Sequence, residues 1–358
     1  MWRFLLSVAI LSCGCDSTTN VTCRNELGNE VDWYILYKLP KMNGNSGLQY
    51  LYMDDSTAGW THGLKDINSN SGTLANTLKP FFDFYIKKTE GFGYMLYSDQ
   101  PPNLKTAPSS FGHSKGVVML DRNTGVWLSH STPKFPGTDI NNFWPASGTV
   151  NAQTFICVTY PYSEFKEIGL QLKYIHVYSF DYNIPLTFHN ELKCVAQRSC
   201  YPKSEPWFRV KDMPPITGSN FKSFAKYTRF EDDLYSGLLV DHLGQDLYVK
   251  SWGRMKKPLP SYCTVAHNVY NVLQVKPPNL QPFLDTVDHS KWCVTNNSST
   301  WTCIADTNRE ESQKGRGGGA ICTDNLEVWN AFSAMVGKYD PCPPMTPPRG
   351  SGAQKREL

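Results

Sequence analysis

Two stretches decide how this chain is read: FGHSKGVVML (residues 111–120) and VDHSKWCV (residues 287–294), each carrying His-Ser-Lys ahead of a run of β-forming residues. The copies start at His113 and His289, about half a chain apart. Laid over one another without gaps, residues 112–132 and 288–308 match at His113/His289, Ser114/Ser290, Lys115/Lys291 and Thr124/Thr300. Each block then reads strand, polar turn, strand, with turns DRNTG and TNNSST built of turn-forming residues. A duplication, with two halves each supplying part of one centre, is the expectation.

The hairpin reading carries geometry. Residues i and i+2 of a strand share a face, so His113 lies with Lys115 and His289 with Lys291. If Asp121 pairs with Val126, His130 falls opposite Val117, on the His113/Lys115 face. Asp306, as far past His289 as His130 is past His113, is placed opposite His289. A one-residue slip would reverse the faces.

Such a set suits displacement at phosphorus. An imidazole is a nucleophile when neutral and a general acid when protonated, and its unperturbed pKa of about 6.5 makes both forms accessible. A lysine beside it offers fixed positive charge to phosphate oxygens. No metal or other cofactor is needed, and HExxH or EF-hand patterns are absent. A single His-x-Lys is more often structural, and His62, His176, His189, His242 and His267 have no supporting context. GRGGGA (315–320) lacks the Lys-Ser/Thr of a P-loop and reads as a flexible loop; RMKK (254–257) reads as a solvated turn. Cys293, inside the second motif, reads as a buried inert thiol.

Outward from the two motifs, 40% apolar and 19% charged residues over 358 positions describe a globular chain of one large or two ordinary domains. A net charge of +3 does not imply a polyanion partner; a nucleic-acid site would be a local basic groove. Arg3, the apolar run FLLSVAILS and the small residues of CGCD read as a signal peptide over 1–15. That run is too short for a membrane anchor. Nine cysteines remain, none in a CxxC pair, which favours disulfides and leaves one thiol over. NVT at Asn20 and NNSS at Asn296 and Asn297 are glycosylation signals that fit export.

Alternation predicts strands at 31–40, 93–99, 116–121, 125–130, 154–160 and 172–180, then near 246–252, 268–275, 289–294 and 301–305. Helical spacing predicts helices over 221–244, capped by Gly244, and over 325–339. Strands interspersed with helices give a mixed α/β class. The segment after Pro343 reads as a disordered tail, and its terminal KREL differs from a KDEL signal by an arginine.

The stretches VDWYILYKLP, GLQYLYMD, GHSKGVVMLD, VWLSHSTPKFP, SFAKYTRFEDDLYSG, DHSKWCV and WTCIADTNR together resemble deoxyribonuclease II from about Cys23 to Cys342. CRNELGNEVDW and LTFHNEL are closer to that family's beta form. The resemblance implies a phospholipase D-like α/β fold, with two pseudosymmetric halves (23–180 and 181–342) that each hold a mixed sheet flanked by helices around one shared site. It implies a metal-independent acid endonuclease, lysosomal or also secreted, that leaves 3′-phosphate and 5′-hydroxyl ends on DNA. Its catalytic residues map to His289, His113, Lys115, Lys291 and His130. Separately from the resemblance, Asp306, through the hairpin register, and Asn308 are expected to contact substrate. The wider superfamily's motif aspartate is missing, since Leu120 and Asn296 stand in its place. The implied disulfides are Cys23–Cys157, Cys263–Cys342 and Cys303–Cys322, with Cys194 and Cys200 left to pair and Cys293 free. The chain would act as a monomeric pseudodimer or a homodimer, without a membrane anchor. A phosphodiesterase acting on phospholipid head groups, and a silent DNA-binding glycoprotein, are the competing readings.

Overall fold

The structure is a computed structural model that describes residues 20–42, 44–296 and 299–343. The segment read as a signal peptide, Asn297 and the residues beyond Pro343 lie outside the described residues. No helix among those described is long and apolar enough to cross a membrane.

The first motif strand, Lys115–Leu120, is buried along its whole length. Its β-branched and long apolar residues divide by parity, as the two-residue period demands. Val118 and Leu120 enter one apolar cluster while Val117 and Met119 enter another. A strand buried on both faces belongs in the middle of a sheet. Here the order is Ser179–Asn183, Gly93–Ser98, Lys115–Leu120, Thr124–His130, Gln153–Pro161, Trp33–Lys38, Tyr50–Asp54 and Thr61–His62, antiparallel at every step.

The second motif strand, Trp292–Thr295, sits equally deep in a second sheet. From Phe208–Asp212 the order runs Phe221–Lys226, Gly318–Thr323, Thr302–Ala305, Trp292–Thr295, Leu247–Lys250 and Val269–Val275, with Phe283–Leu284 and Val336–Asp340 both pairing with that last strand. Leu247–Lys250 with Val269–Val275 is its parallel pair. Only this sheet is therefore mixed; the expectation of a mixed sheet in each half fails for the first, whose neighbours are joined by hairpins and other antiparallel returns.

The two sheets face each other across a common core in which Ile35, Val118 and Ile156 meet Trp292, Ile304 and Ile321, with Ile168, Leu172 and Ile175 between them. Helix Thr73–Lys87 covers the far face of the first sheet with Leu74, Leu78 and Phe81. Tyr235, Leu238 and Leu239, in a π-turn that runs into helix Val240–Leu243, cover the far face of the second.

Several sequence expectations are corrected. Residues 172–180 are not a strand: Phe165, Ile168, Leu172 and Ile175 form the buried stripe of helix Phe165–Ile175, and the strand follows at Ser179–Asn183. The stretch 221–244 opens as strand Phe221–Lys226, makes a single 3-10 turn at Thr228–Phe230 and becomes helical again from Tyr235, where Gly244 at φ 63° does cap it. Helix 325–339 ends at Ser333, after which Val336–Asp340 adds to the sheet. Helix Thr73–Lys87 escapes pattern reading because it carries Pro80 and three phenylalanines; its buried apolar face outweighs the propensity cost.

Four cysteine pairs are bonded: Cys23–Cys157, Cys194–Cys200, Cys263–Cys342 and Cys303–Cys322. Cys293 is free and buried, and burial pushes its thiol well above the ordinary cysteine value.

Candidate active site

Both motifs open at the junction of the sheets, and each is held by the opposite one. The His113 N–H donates to the Gly317 carbonyl at 2.9 Å, and the His289 N–H donates to the Ala152 carbonyl at 2.9 Å. Gly317 immediately precedes a strand of the second sheet, and Ala152 a strand of the first. The His113 ring crosses the same gap, its Nδ1 lying 2.8 Å from the Asp306 carbonyl oxygen. A carbonyl only accepts, so Nδ1 carries the hydrogen and neutral His113 presents a bare lone pair at Nε2.

The first hairpin pairs Met119 with Val126 and Gly116 with Ser129. The register is thus two residues from that expected, an even shift that preserves the faces: His130 comes beside Lys115 instead of Val117. His130 is 3% exposed, stacked on Phe155 and edge-on to Phe135. Its Nδ1 accepts the Thr132 N–H at 3.2 Å, so Nε2 carries the hydrogen, and Nε2 has no protein acceptor.

In the second hairpin Trp292 pairs with Ile304, and the Ala305 N–H donates to the Lys291 carbonyl. Asp306 therefore faces Ser290, one residue short of the position opposite His289 that the sequence suggested, because this turn differs from the first in its residue count. Its Oδ2 accepts the Gly319 N–H at 3.1 Å, and burial pushes its carboxyl up to about 7 despite Lys115 and Lys291. Asn308 is buried and accepts the Trp252 N–H at 3.2 Å. The Trp252 ring stands edge-to-face with His289 at 4.0 Å between centroids.

The lysines are anchored differently. Lys115 Nζ lies 2.5 Å from Asp99 Oδ1, and the other oxygen of Asp99 lies 3.3 Å from Arg316 and 3.9 Å from His113 Nε2. Burial alone would raise Asp99, but Lys115, His113 and Arg316 hold it well below the usual carboxylate range. Lys291 Nζ donates to the His289 carbonyl at 2.7 Å; burial, then repulsion from Lys115 and Lys250, brings it down to about 7. Behind it Asp288 is fully buried, accepting from Tyr37 at 2.6 Å and pairing with Lys250 at 3.3 Å.

Burial and the lysines also depress both histidines. His113 lies well below 6.5, and His289 comes down to about 3, through burial and then Lys291. Lys115 and Lys291 each disfavour the charged form of both imidazoles, and Lys115 that of Lys291.

Asp99, Asp288 and Arg316 were not singled out from sequence. Asp288 was visible as the residue before His289, and Asp99 as the end of a predicted strand. Arg316 lay in the glycine-rich GRGGGA, which is no flexible loop. A Cβ at Gly317 would come within 2.1 Å of the Ile175 carbonyl, and one at Gly319 within 2.5 Å of the Phe224 carbonyl, so the glycines permit close backbone approach.

The family model for deoxyribonuclease II matches residues 22–342. Mouse deoxyribonuclease-2-alpha is 36% identical over 95% of this chain and 98% of its own, and mouse deoxyribonuclease-2-beta is 37% identical over 92% and 95%, so the two forms are equally similar. Plancitoxin-1 from Acanthaster planci is 34% identical over 96% of this chain and 98% of its own. A solved yeast tyrosyl-DNA phosphodiesterase mutant reaches a TM-score of only 0.27 at 10% identity, over 62% of this chain and 68% of that one, too little to support any inference about fold.

Proposed function

The chain belongs to the deoxyribonuclease II family, and on that premise we propose that it is a metal-independent acid endonuclease cutting DNA to 3′-phosphate and 5′-hydroxyl ends in a lysosomal or extracellular setting. The observation that carries this reading is the reciprocal anchoring of the two motifs, each histidine held by a carbonyl next to the other sheet. It supports one centre assembled by two pseudosymmetric halves, as does the shared strand order. In each sheet the motif hairpin is followed by a third strand and then by a strand from earlier in the chain than the motif, Gln153–Pro161 and Trp33–Lys38 in one, Gly318–Thr323 and Phe221–Lys226 in the other.

His113 is the nucleophile. Its Nδ1–H is committed to the Asp306 carbonyl, and its Nε2 lone pair attacks phosphorus, forming a P–N bond as the P–O5′ bond breaks. His289, protonated, gives its proton to the departing O5′. It then takes a proton from the water that attacks phosphorus, breaks the P–N bond and releases the 3′-phosphate. Lys115 and Lys291 bind the non-bridging oxygens, and the free Nε2–H of His130 is a further donor to them. Protonating His289 is costly in the free enzyme, and the bound phosphodiester's negative charge offsets the lysines. An acidic medium supplies the rest.

Plasmid DNA in EDTA, incubated at pH 5 and at pH 7.5, tests the reading. Nicking at pH 5 that vanishes in His289→Ala supports it. An intact plasmid at both pH values, or nicking restored only by added divalent metal, contradicts it.

A further inference from the structure

The glycine-rich stretch GRGGGA (315–320) belongs to neither motif, yet it takes hold of the first one by backbone and by ring. The Gly317 carbonyl accepts the His113 N–H. Gly319 exchanges two hydrogen bonds with Asp306: its carbonyl accepts the Asp306 N–H at 3.0 Å, and its own N–H donates to Oδ2 at 3.1 Å. Asp306 in turn presents the carbonyl that receives the His113 Nδ1–H. Arg316 closes the grip on the residues just before the histidine. Its Nε and Nη2 both donate to the Phe111 carbonyl at 3.1 Å, and Nη2 also reaches the Gly112 carbonyl at 3.2 Å and Asp99 Oδ2 at 3.3 Å.

The stretch is itself held from behind. Lys226, fully buried at the end of strand Phe221–Lys226, donates to three carbonyls, those of Gln313 at 3.0 Å, Lys314 at 2.9 Å and Arg316 at 2.6 Å. An ammonium has three donors, and here each has an acceptor. The cation closes the carbonyl end of the short helix Glu311–Lys314 and fixes the backbone from which Arg316 projects. The Arg316 side chain is 15% exposed and its charge is set against Asp99, so these bonds face the protein. A planar fork that spans two successive carbonyls and a carboxylate suits a guanidinium; a single ammonium cannot reproduce it.

We propose that Arg316 is a positioning residue for cleavage, the latch through which the glycine-rich turn of the second sheet holds the Phe111–Gly112 backbone and aims the His113 Nε2 lone pair at phosphorus. This rests on the nuclease reading with His113 as nucleophile, and it adds the group that sets the nucleophile's direction.

The test compares full-length Arg316→Ala and Arg316→Lys with the unaltered protein on a short DNA duplex at pH 5 in EDTA. A misplacement of about 1 Å costs about a hundredfold, so kcat should fall by about that factor in both variants while KM stays nearly unchanged. A raised KM at unchanged kcat, or full activity in Arg316→Lys, would make Arg316 a simple phosphate contact and overturn the latch. Imidazole nitrogen signals of protein carrying 15N-histidine read the same device without DNA, with His113 assigned by its disappearance in His113→Gln. In both Arg316 variants the His113 nitrogens should move toward the values of a free imidazole as the Nδ1–H bond to Asp306 loosens, and those of His289 should not. Unchanged His113 signals overturn the latch even where activity falls. Arg316→Lys, which keeps a charge opposite Asp99, carries both comparisons if Arg316→Ala does not fold. If the unaltered protein leaves DNA intact, the nuclease reading fails, and the His113 signals alone decide whether Arg316 fixes the ring.

Discussion

Charge at single residues governs how this site answers to pH. His289 comes down to about 3 because burial and Lys291 disfavour its charged form. A bound phosphodiester must raise it. Since kcat/KM reports groups of the free enzyme and kcat those of the complex, the alkaline limb of kcat should lie at higher pH than that of kcat/KM. Rate profiles on a short DNA duplex between pH 3 and 8 measure this, and coincident limbs would count against it. Asp306 has the opposite bearing on stability. Its folded value of about 7 exceeds that of an unfolded aspartate, so its contribution is full below about pH 4 and is lost as pH rises through 7. Denaturant titrations should show unfolding free energy declining over that window, and Asp306→Asn should flatten the decline. Asp99 balances Lys115 and Arg316 in a nearly water-free position. Asp99→Asn should therefore cost about 3–5 kcal/mol of stability, read from the shift of the denaturation midpoint. The histidines and lysines were legible because their chemistry travels with a short local pattern. Asp99 was not, since it meets Lys115 only through the pairing of Ser98 with Lys115 between strands.

At the level of elements, the hairpins were legible and their registers were not. Parity survived in the first, where the slip was two residues, and failed in the second, where one residue carried Asp306 off the expected position. A turn's residue count sets register, and two turns of different length cannot share one. The helix Phe165–Ile175 shows the other limit: its end, LKYI, runs directly into β-forming residues, and a window centred there reads as strand. That helix matters because its last carbonyl, at Ile175, is packed against both Gly112 and Gly317, the residues that flank and hold His113. A Cβ at Gly112 would stand 2.2 Å from that oxygen. Gly112→Ala should cost about 1–3 kcal/mol and should depress cleavage more than binding, because it moves the nucleophile without removing a phosphate contact. Equal changes in kcat and KM, or a fully active variant, would argue that this junction does not position His113.

Taken whole, the described residues form two large sheets packed around one core, with the two His-Ser-Lys motifs at the ends of central strands. The duplication visible in two short tripeptides is matched by strand order, yet the sheets differ in their edges, one closing antiparallel and the other gaining a parallel pair. Asymmetry at the centre follows. His113 has its tautomer fixed by a carbonyl of the other sheet's hairpin, whereas the His289 ring packs edge-on against the Trp252 indole and feels Lys291 and Asp288 in opposite senses. On the proposed mechanism, two copies of one motif would divide the roles of nucleophile and acid. The most direct measurement is to mix the protein with a short DNA duplex at pH 5 in EDTA, quench within milliseconds into alkali, and map the adduct by peptide mass. The account predicts a 3′-phosphoryl oligonucleotide on the peptide bearing His113. An adduct on the His289 peptide would contradict the assignment of roles, and cleavage through a trapped burst with no adduct on either histidine would contradict covalent catalysis altogether.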